Sequence, residues 1–254
     1  MVMNRVIPVL LLSNSGLVKT TKFKNPKYIG DPINAVRIFN EKEVDELVVL
    51  DIDATRQGRE PDYELIEEVA SECFMPLAYG GGVKSMEQAK RLFKLGIEKV
   101  VLQDSAMQNH EIISEMASCF GSQSIVVSVD LKRDWIKRPR VWSSKLRKIY
   151  HKNDWLVELK RFQDAGAGEI ILNSVDRDGC QTGYDYELIS QASDILDIPL
   201  VVLGGAGLIT DFRLAIQAGA SAVAAGSMFV FEGKYRAVLI NYPGYEQLQI
   251  VFAS

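Results

Sequence analysis

Short apolar runs alternate with stretches of helical period along almost the whole chain. RVIPVLL (5–11), ELVVLDI (46–52), MPLAYGG (75–81), KVVLQDS (99–105), SIVVSVDL (124–131), EIILNSV (169–175), PLVVLGG (199–205) and AVAAGSM (222–228) are short, mostly rich in β-branched residues, and bounded by polar or glycine positions. That is the pattern of buried strands. Between them, SMEQAKRLFKLGI (85–97) and DFRLAIQAGA (211–220) repeat apolar residues at helical spacing, with a glycine near the end. Repeated strand–helix units imply a parallel sheet with right-handed crossovers. Eight such strands close into a single (β/α)8 TIM barrel, and 254 residues suit that size.

The chain also repeats itself. ELVVLDID…DYELI begins at Glu46 and EIILNSVD…DYELI at Glu169. In that one register Asp53 meets Asp176, Pro76 meets Pro199, Gly81-Gly82 meet Gly204-Gly205, and Gly96 meets Gly219. The expectation is two half-barrels of four units each, near 1–122 and 123–254.

Composition narrows the function. A 47% hydrophobic content is enough for a full core, and a net charge of −4 spread along the sequence argues for neither nucleic acid nor a membrane surface as partner. Cys73, Cys119 and Cys180 are far apart, and His110 and His151 are the only histidines. A disulfide framework, a metal site or a bound cofactor is therefore not expected, and a reducing cytoplasm is the expected location. No run approaches the ~18 apolar residues of a membrane span, and the N-terminus lacks a cleavage-site pattern.

The chemistry gathers at strand ends. YGGGVKS (79–85) and LGGAGLIT (203–210) are glycine-rich, and each is followed one strand later by a polar turn, LQDSAM (102–107) or AAGSMF (224–229). Glycines at the C-terminal ends of barrel strands let backbone N–H groups approach an anion, and a following helix adds its dipole. Two phosphate cradles are expected on opposite sides of the mouth, one with Gly81 and Gly82, the other with Gly204, Gly205, Gly207, Gly226 and Ser227. Asp104 places a negative charge beside the first.

Two half-barrels with paired GG loops, together with DRDG (176–179), GYD (183–185) and GGAG (204–207), resemble the cyclase subunit of imidazole glycerol phosphate synthase, the HisF family of histidine biosynthesis. The resemblance covers nearly the whole chain. It implies an ammonia-using lyase served by a glutaminase (HisH-like) subunit, with a bis-phosphorylated ribonucleotide as substrate. It implies acid/base work by two aspartates, at the ends of the first and fifth strands. The fifth-strand aspartate is Asp130; at the first-strand position stands Leu11, which moves no proton. Gln103, Asp104 and Leu203 also depart from the family's polar residues. Lys19, Asp51, Asp130, Asp176 and Asp178 are retained. For Asp176 and Asp178, hydrogen bonding within loops is the alternative to catalysis.

The other end keeps the family's pattern. Arg5, Glu46, Lys99 and Glu169 stand at or before strand starts and match its charged ammonia gate. Charges there are costly unless paired, and two of each sign can neutralise one another. Two segments are atypical. KRDWIKRPRVWSSKLRKIYHKND (132–154) interleaves basic and aromatic residues and is expected as a loop or hairpin over the mouth, facing an anionic nucleotide-sugar or a third protein. YRAVLINYP (235–243) resembles the ending of a divergent branch found with surface-polysaccharide (O-antigen) sugar loci. That branch works with a glutaminase-like subunit and an ATP-dependent sugar amidotransferase, converting an acetamido to an acetamidino sugar. The leading expectation is such an ammonia-conducting subunit. The alternative is a genuine cyclase using Asp130 with a substitute acid.

Overall fold

A computed structural model describes residues 4–150 and 154–253. The strands in chain order are β1 (Arg5–Ser13), β2 (Gly16–Thr21), β3 (Lys24–Gly30), β4 (Leu47–Asp51), β5 (Leu77–Gly80), β6 (Lys99–Leu102) and β7 (Ile125–Arg133). They continue with β8 (Pro139–Ser143), β9 (Lys148–Ile149), β10 (Glu169–Ser174), β11 (Leu200–Leu203), β12 (Ala222–Ala225), β13 (Phe231–Glu232) and β14 (Ala237–Val238). The ring runs β1-β4-β5-β6-β7-β10-β11-β12 and closes by parallel pairing of β12 with β1 and of β7 with β10. This is the (β/α)8 barrel, with its strands where the apolar runs fall.

Alternation along each strand sorts the side chains into two cores. Ile7, Val9, Val48, Ala78, Val101, Val126, Ile171, Val201, Ala222 and Ala224 fill the inside of the barrel, with Leu11, Leu50 and Leu203 packed above them. The residues between, such as Val6, Leu10 and Val49, face outward and join the layer beneath the helices. The helices carry their own start signals. Asp31 accepts from the Asn34 amide ahead of Pro32–Glu41, and Asp62 accepts from Leu65 ahead of Tyr63–Glu72. The segment expected as helix at 85–97 is helical over Met86–Lys94 behind a Ser85 cap, and Gly96 at φ +97° follows its end.

One helix departs from expectation. The segment read from Asp211 starts earlier and spans Ile209–Gln217. The Asp211 carboxylate turns back and accepts from the Gly207 and Leu208 amides, at 2.9 Å each, which draws the first turn forward.

Two hairpins rise from the C-terminal ends of strands. β2 and β3 extend β1, and β8 and β9 extend β7. The second is the basic-aromatic segment; of its residues, 151–153 lie outside those described. Asp185 leads the helix Tyr186–Ser193 without capping it and instead takes Arg133 of this hairpin's base at 3.1 Å. Among the described residues, no helix is long and apolar enough to cross a membrane.

Candidate functional site

A cavity of about 950 Å³ opens at the C-terminal ends of the strands, where barrel active sites lie. Its floor is formed by Val9, Leu11, Leu50, Val101 and Leu203, and its wall includes Gln103, Ser128, Asp130 and Asn173. Both glycine loops, Lys19, Asp51 and Asp178 also line it. The fold thus brings the expected mouth residues into one cavity, except Gly207 and Asp176, which do not line it.

Asp130 is buried at the end of the barrel part of β7. Its Oδ2 accepts from Gln103 Nε2 and from Ser144 Oγ, at 2.6 Å each, and its Oδ1 accepts from Asn173 Nδ2 at 3.0 Å. Burial pushes the carboxyl up to about 6, against the pull of those three donors. Ser144 belongs to the basic hairpin, which folds back over the mouth and sets a hydroxyl on the acid. Nothing in the sequence singled it out, because the 14-residue reach depends on the reversal between β7 and β8.

No carboxylate makes an ion pair with Lys19 among the described residues. Its ammonium donates to the carbonyl of Val9, two residues before Leu11 on the same strand. Burial lowers it to about 8, with Asp178 pulling the other way. A side chain at Gly226 would come within 2.5 Å of its Nζ, so this glycine makes room for the lysine. Asp178 accepts from Thr20 Oγ1 at 2.9 Å and from the Phe23 amide at 3.2 Å, tying the β2–β3 hairpin to the DRDG loop. Burial raises its carboxyl. Asp176 accepts from the Arg133 amide, and Asp51 from the amides of Asp53 and Ala54. Those two carboxylates hold loops together.

The cradles differ in what is already engaged. In the first, the Gly82 amide donates to Thr55 Oγ1 at 3.0 Å, and a side chain at Gly81 would meet the Asp51 carbonyl at 2.5 Å. Asp104, beside it, accepts from Lys145 of the hairpin at 3.1 Å, so its charge is paired. In the second, the Gly207 amide is taken by Asp211. Gly204 at φ +90° and Gly205 at φ +118° hold backbone that a side chain would strain. Ser227 is buried at its edge.

At the base the four charges meet. Arg5 reaches Glu46 at 2.5 Å and Glu169 at 2.6 Å, while Lys99 reaches Glu46 at 2.8 Å and Glu169 at 3.4 Å. The result is a closed ring, each cation bridging both anions. Both glutamates are buried. Burial pulls the Arg5 guanidinium down, but Glu169 and Glu46 outweigh it and raise it.

The model of the family described as histidine biosynthesis protein matches residues 5–236. The chain is 51% identical over 253 residues to a Pseudomonas aeruginosa protein provisionally named imidazole glycerol phosphate synthase subunit hisF2, covering 98% of this chain and 100% of that one. A Vibrio vulnificus protein provisionally named subunit hisF3 is 51% identical over 250 residues, covering 96% and 94%. Imidazole glycerol phosphate synthase subunit HisF of Dictyoglomus turgidum is 40% identical over 233 residues, covering 91% of each chain.

Proposed function

The chain belongs to the histidine biosynthesis protein family as a HisF-like subunit, and from that premise we propose that it is the ammonia-accepting barrel of a glutamine-dependent sugar-amidation complex. A HisH-like glutaminase would dock beneath the Arg5–Glu46–Lys99–Glu169 ring and release ammonia into the barrel. An ATP-dependent amidotransferase would complete the conversion of an acetamido to an acetamidino sugar for surface polysaccharide. Residues 1–122 and 123–254 are read as two half-barrels, each supplying one phosphate cradle for a phosphorylated or nucleotide-sugar ligand.

The observation that carries this reading is Leu11. It packs on the inner core where an acid is needed, while the charge ring at the opposite end is complete. Leucine neither gives nor takes a proton, and losing one member of an acid/base pair costs about 10²–10⁴-fold in rate. The genuine cyclase remains the second reading because Asp130, pushed up to about 6, is suited to acid/base work.

Growth separates the two. The chain, expressed in a bacterium lacking its own HisF and supplied with abundant ammonium to bypass the glutaminase, is expected not to support growth without histidine. Growth at the rate given by an ordinary HisF would overturn the proposal.

A further inference from the structure

Lys19, Lys22, Lys24, Lys84, Lys132 and Lys145 all line the mouth cavity, and of these Lys19 alone is buried. Its Nζ donates to the carbonyl of Val9, the one acceptor it meets among the described residues. On another side the nitrogen lies against Gly226 of the second glycine cradle. Val9 and Gly226 line the same cavity as the lysine. A neutral amine bonded once in this way keeps its lone pair and its second hydrogen for another partner. Burial without an anion in contact also loosens the proton, bringing the ammonium down to about 8 while Asp178 pulls the other way. At neutral pH about a tenth of the molecules then hold the free amine, on the order of 100-fold more than at an ordinary lysine. Desolvated lysines of this kind are the ones that attack carbonyl groups.

We propose that Lys19 is a covalent site for short phosphorylated aldehydes, its Nζ forming an imine with the carbonyl carbon while the phosphate rests in the cradle of Gly204, Gly205, Gly226 and Ser227. The lone pair of the neutral amine adds to the carbonyl carbon. The C=O bond then gives way to C=N, and the oxygen leaves as water carrying both amine hydrogens. Nothing is oxidised or reduced. Gly226 sets the address, because it belongs to the cradle and touches the amine, so one short molecule reaches both. Leucine at position 11 favours the reaction, since an aspartate there would hold the amine as its ammonium. The imine needs neither a glutaminase nor an amidotransferase, so it stands or falls apart from the amidation reading.

Pyridoxal 5′-phosphate with sodium borohydride tests this on the full chain. Borohydride adds hydride to the C=N carbon and fixes the adduct as a secondary amine, which peptide mass spectrometry locates. Lys90 and Lys94, exposed on the helix Met86–Lys94, report ordinary lysine reactivity in the same sample. At neutral pH Lys19 is expected to be labelled at least about tenfold faster than either. Its rate should level off above about pH 8 while theirs goes on rising. Pyridoxal, which lacks the phosphate, should lose most of that preference, and inorganic phosphate should protect Lys19 but neither control. Leu11→Asp should slow Lys19 at neutral pH and move its levelling-off upward. Labelling of Lys19 no faster than Lys90 and Lys94 overturns the site. So does binding of pyridoxal 5′-phosphate that leaves no adduct on Lys19, which would mean that the ammonium only pairs with the anion. Equal labelling by pyridoxal and its phosphate contradicts the shared seat with the cradle.

Discussion

At the base of the barrel two partly buried cations and two buried anions are in contact with one another; at the mouth, Lys19 and Asp130 are buried with no counter-charge in contact among the described residues. The base ring offsets its own desolvation, so its charges persist without a ligand. The mouth leaves its two groups to neutral donors and a carbonyl, and burial moves both toward neutrality, Lys19 down to about 8 and Asp130 up to about 6. The base is thus built to stay charged and the mouth to receive something. Leu11 marks the boundary. An aspartate there would stand two residues from the carbonyl that holds Lys19.

The largest effect is expected at the base. Glu46→Leu removes the anion that both cations share and strands Arg5 and Lys99 on Glu169 alone. A loss of about 3–5 kcal/mol is expected, the usual cost of orphaning a buried charge, measured by urea unfolding at neutral pH. A loss under about 1 kcal/mol would place the ring with ordinary surface pairs.

At the mouth the effects are smaller and depend on pH. Lys19 loses its proton more readily folded than unfolded. Between about pH 8 and 10.5 the unfolded chain therefore holds more protons, and stability rises with pH across that window. The gain is on the order of 2–3 kcal/mol and should vanish in Lys19→Met, read from unfolding midpoints across the range. Asp130 has the opposite sign. Its folded carboxyl titrates near 6 against about 4 unfolded, so the folded chain holds the extra proton between them and stability falls as pH rises through that window. Asp130→Asn should flatten a slope worth on the order of 2 kcal/mol.

The mildest change is Leu11→Asp. It should draw the titration of Lys19 upward by giving it a carboxylate neighbour, visible by NMR of the lysine side chain. It should restore cyclisation weakly at most, because Gln103 is engaged on Asp130 and Leu203 still lines the floor.

Much of this was legible in the chain. Alternation placed the strands and set Arg5, Glu46, Lys99 and Glu169 at their starts, and a charge opening an apolar run has only the barrel's end to occupy. Leu11 was legible by its contrast with Asp130. The clamp on Asp130 was not: Gln103 stood out only as a departure from the family's pattern, Asn173 was one polar residue within an apolar run, and Ser144 was hidden in a segment read for its basic and aromatic residues. The glycine loops showed where backbone approaches backbone, but not that the amides of Gly82 and Gly207 are already engaged. Those depend on side chains, Thr55 and Asp211, whose direction only the fold sets.

The central claim is that proton transfer at the mouth is disabled while the base remains built for ammonia. Its most direct test is turnover of the bis-phosphorylated ribonucleotide of the histidine pathway with added ammonium, by this chain and by HisF of Dictyoglomus turgidum side by side. The account predicts a rate at least about 100-fold lower here, as expected for a missing acid. Turnover within about tenfold of that HisF would mean that another group does the work of the absent aspartate, and would contradict it.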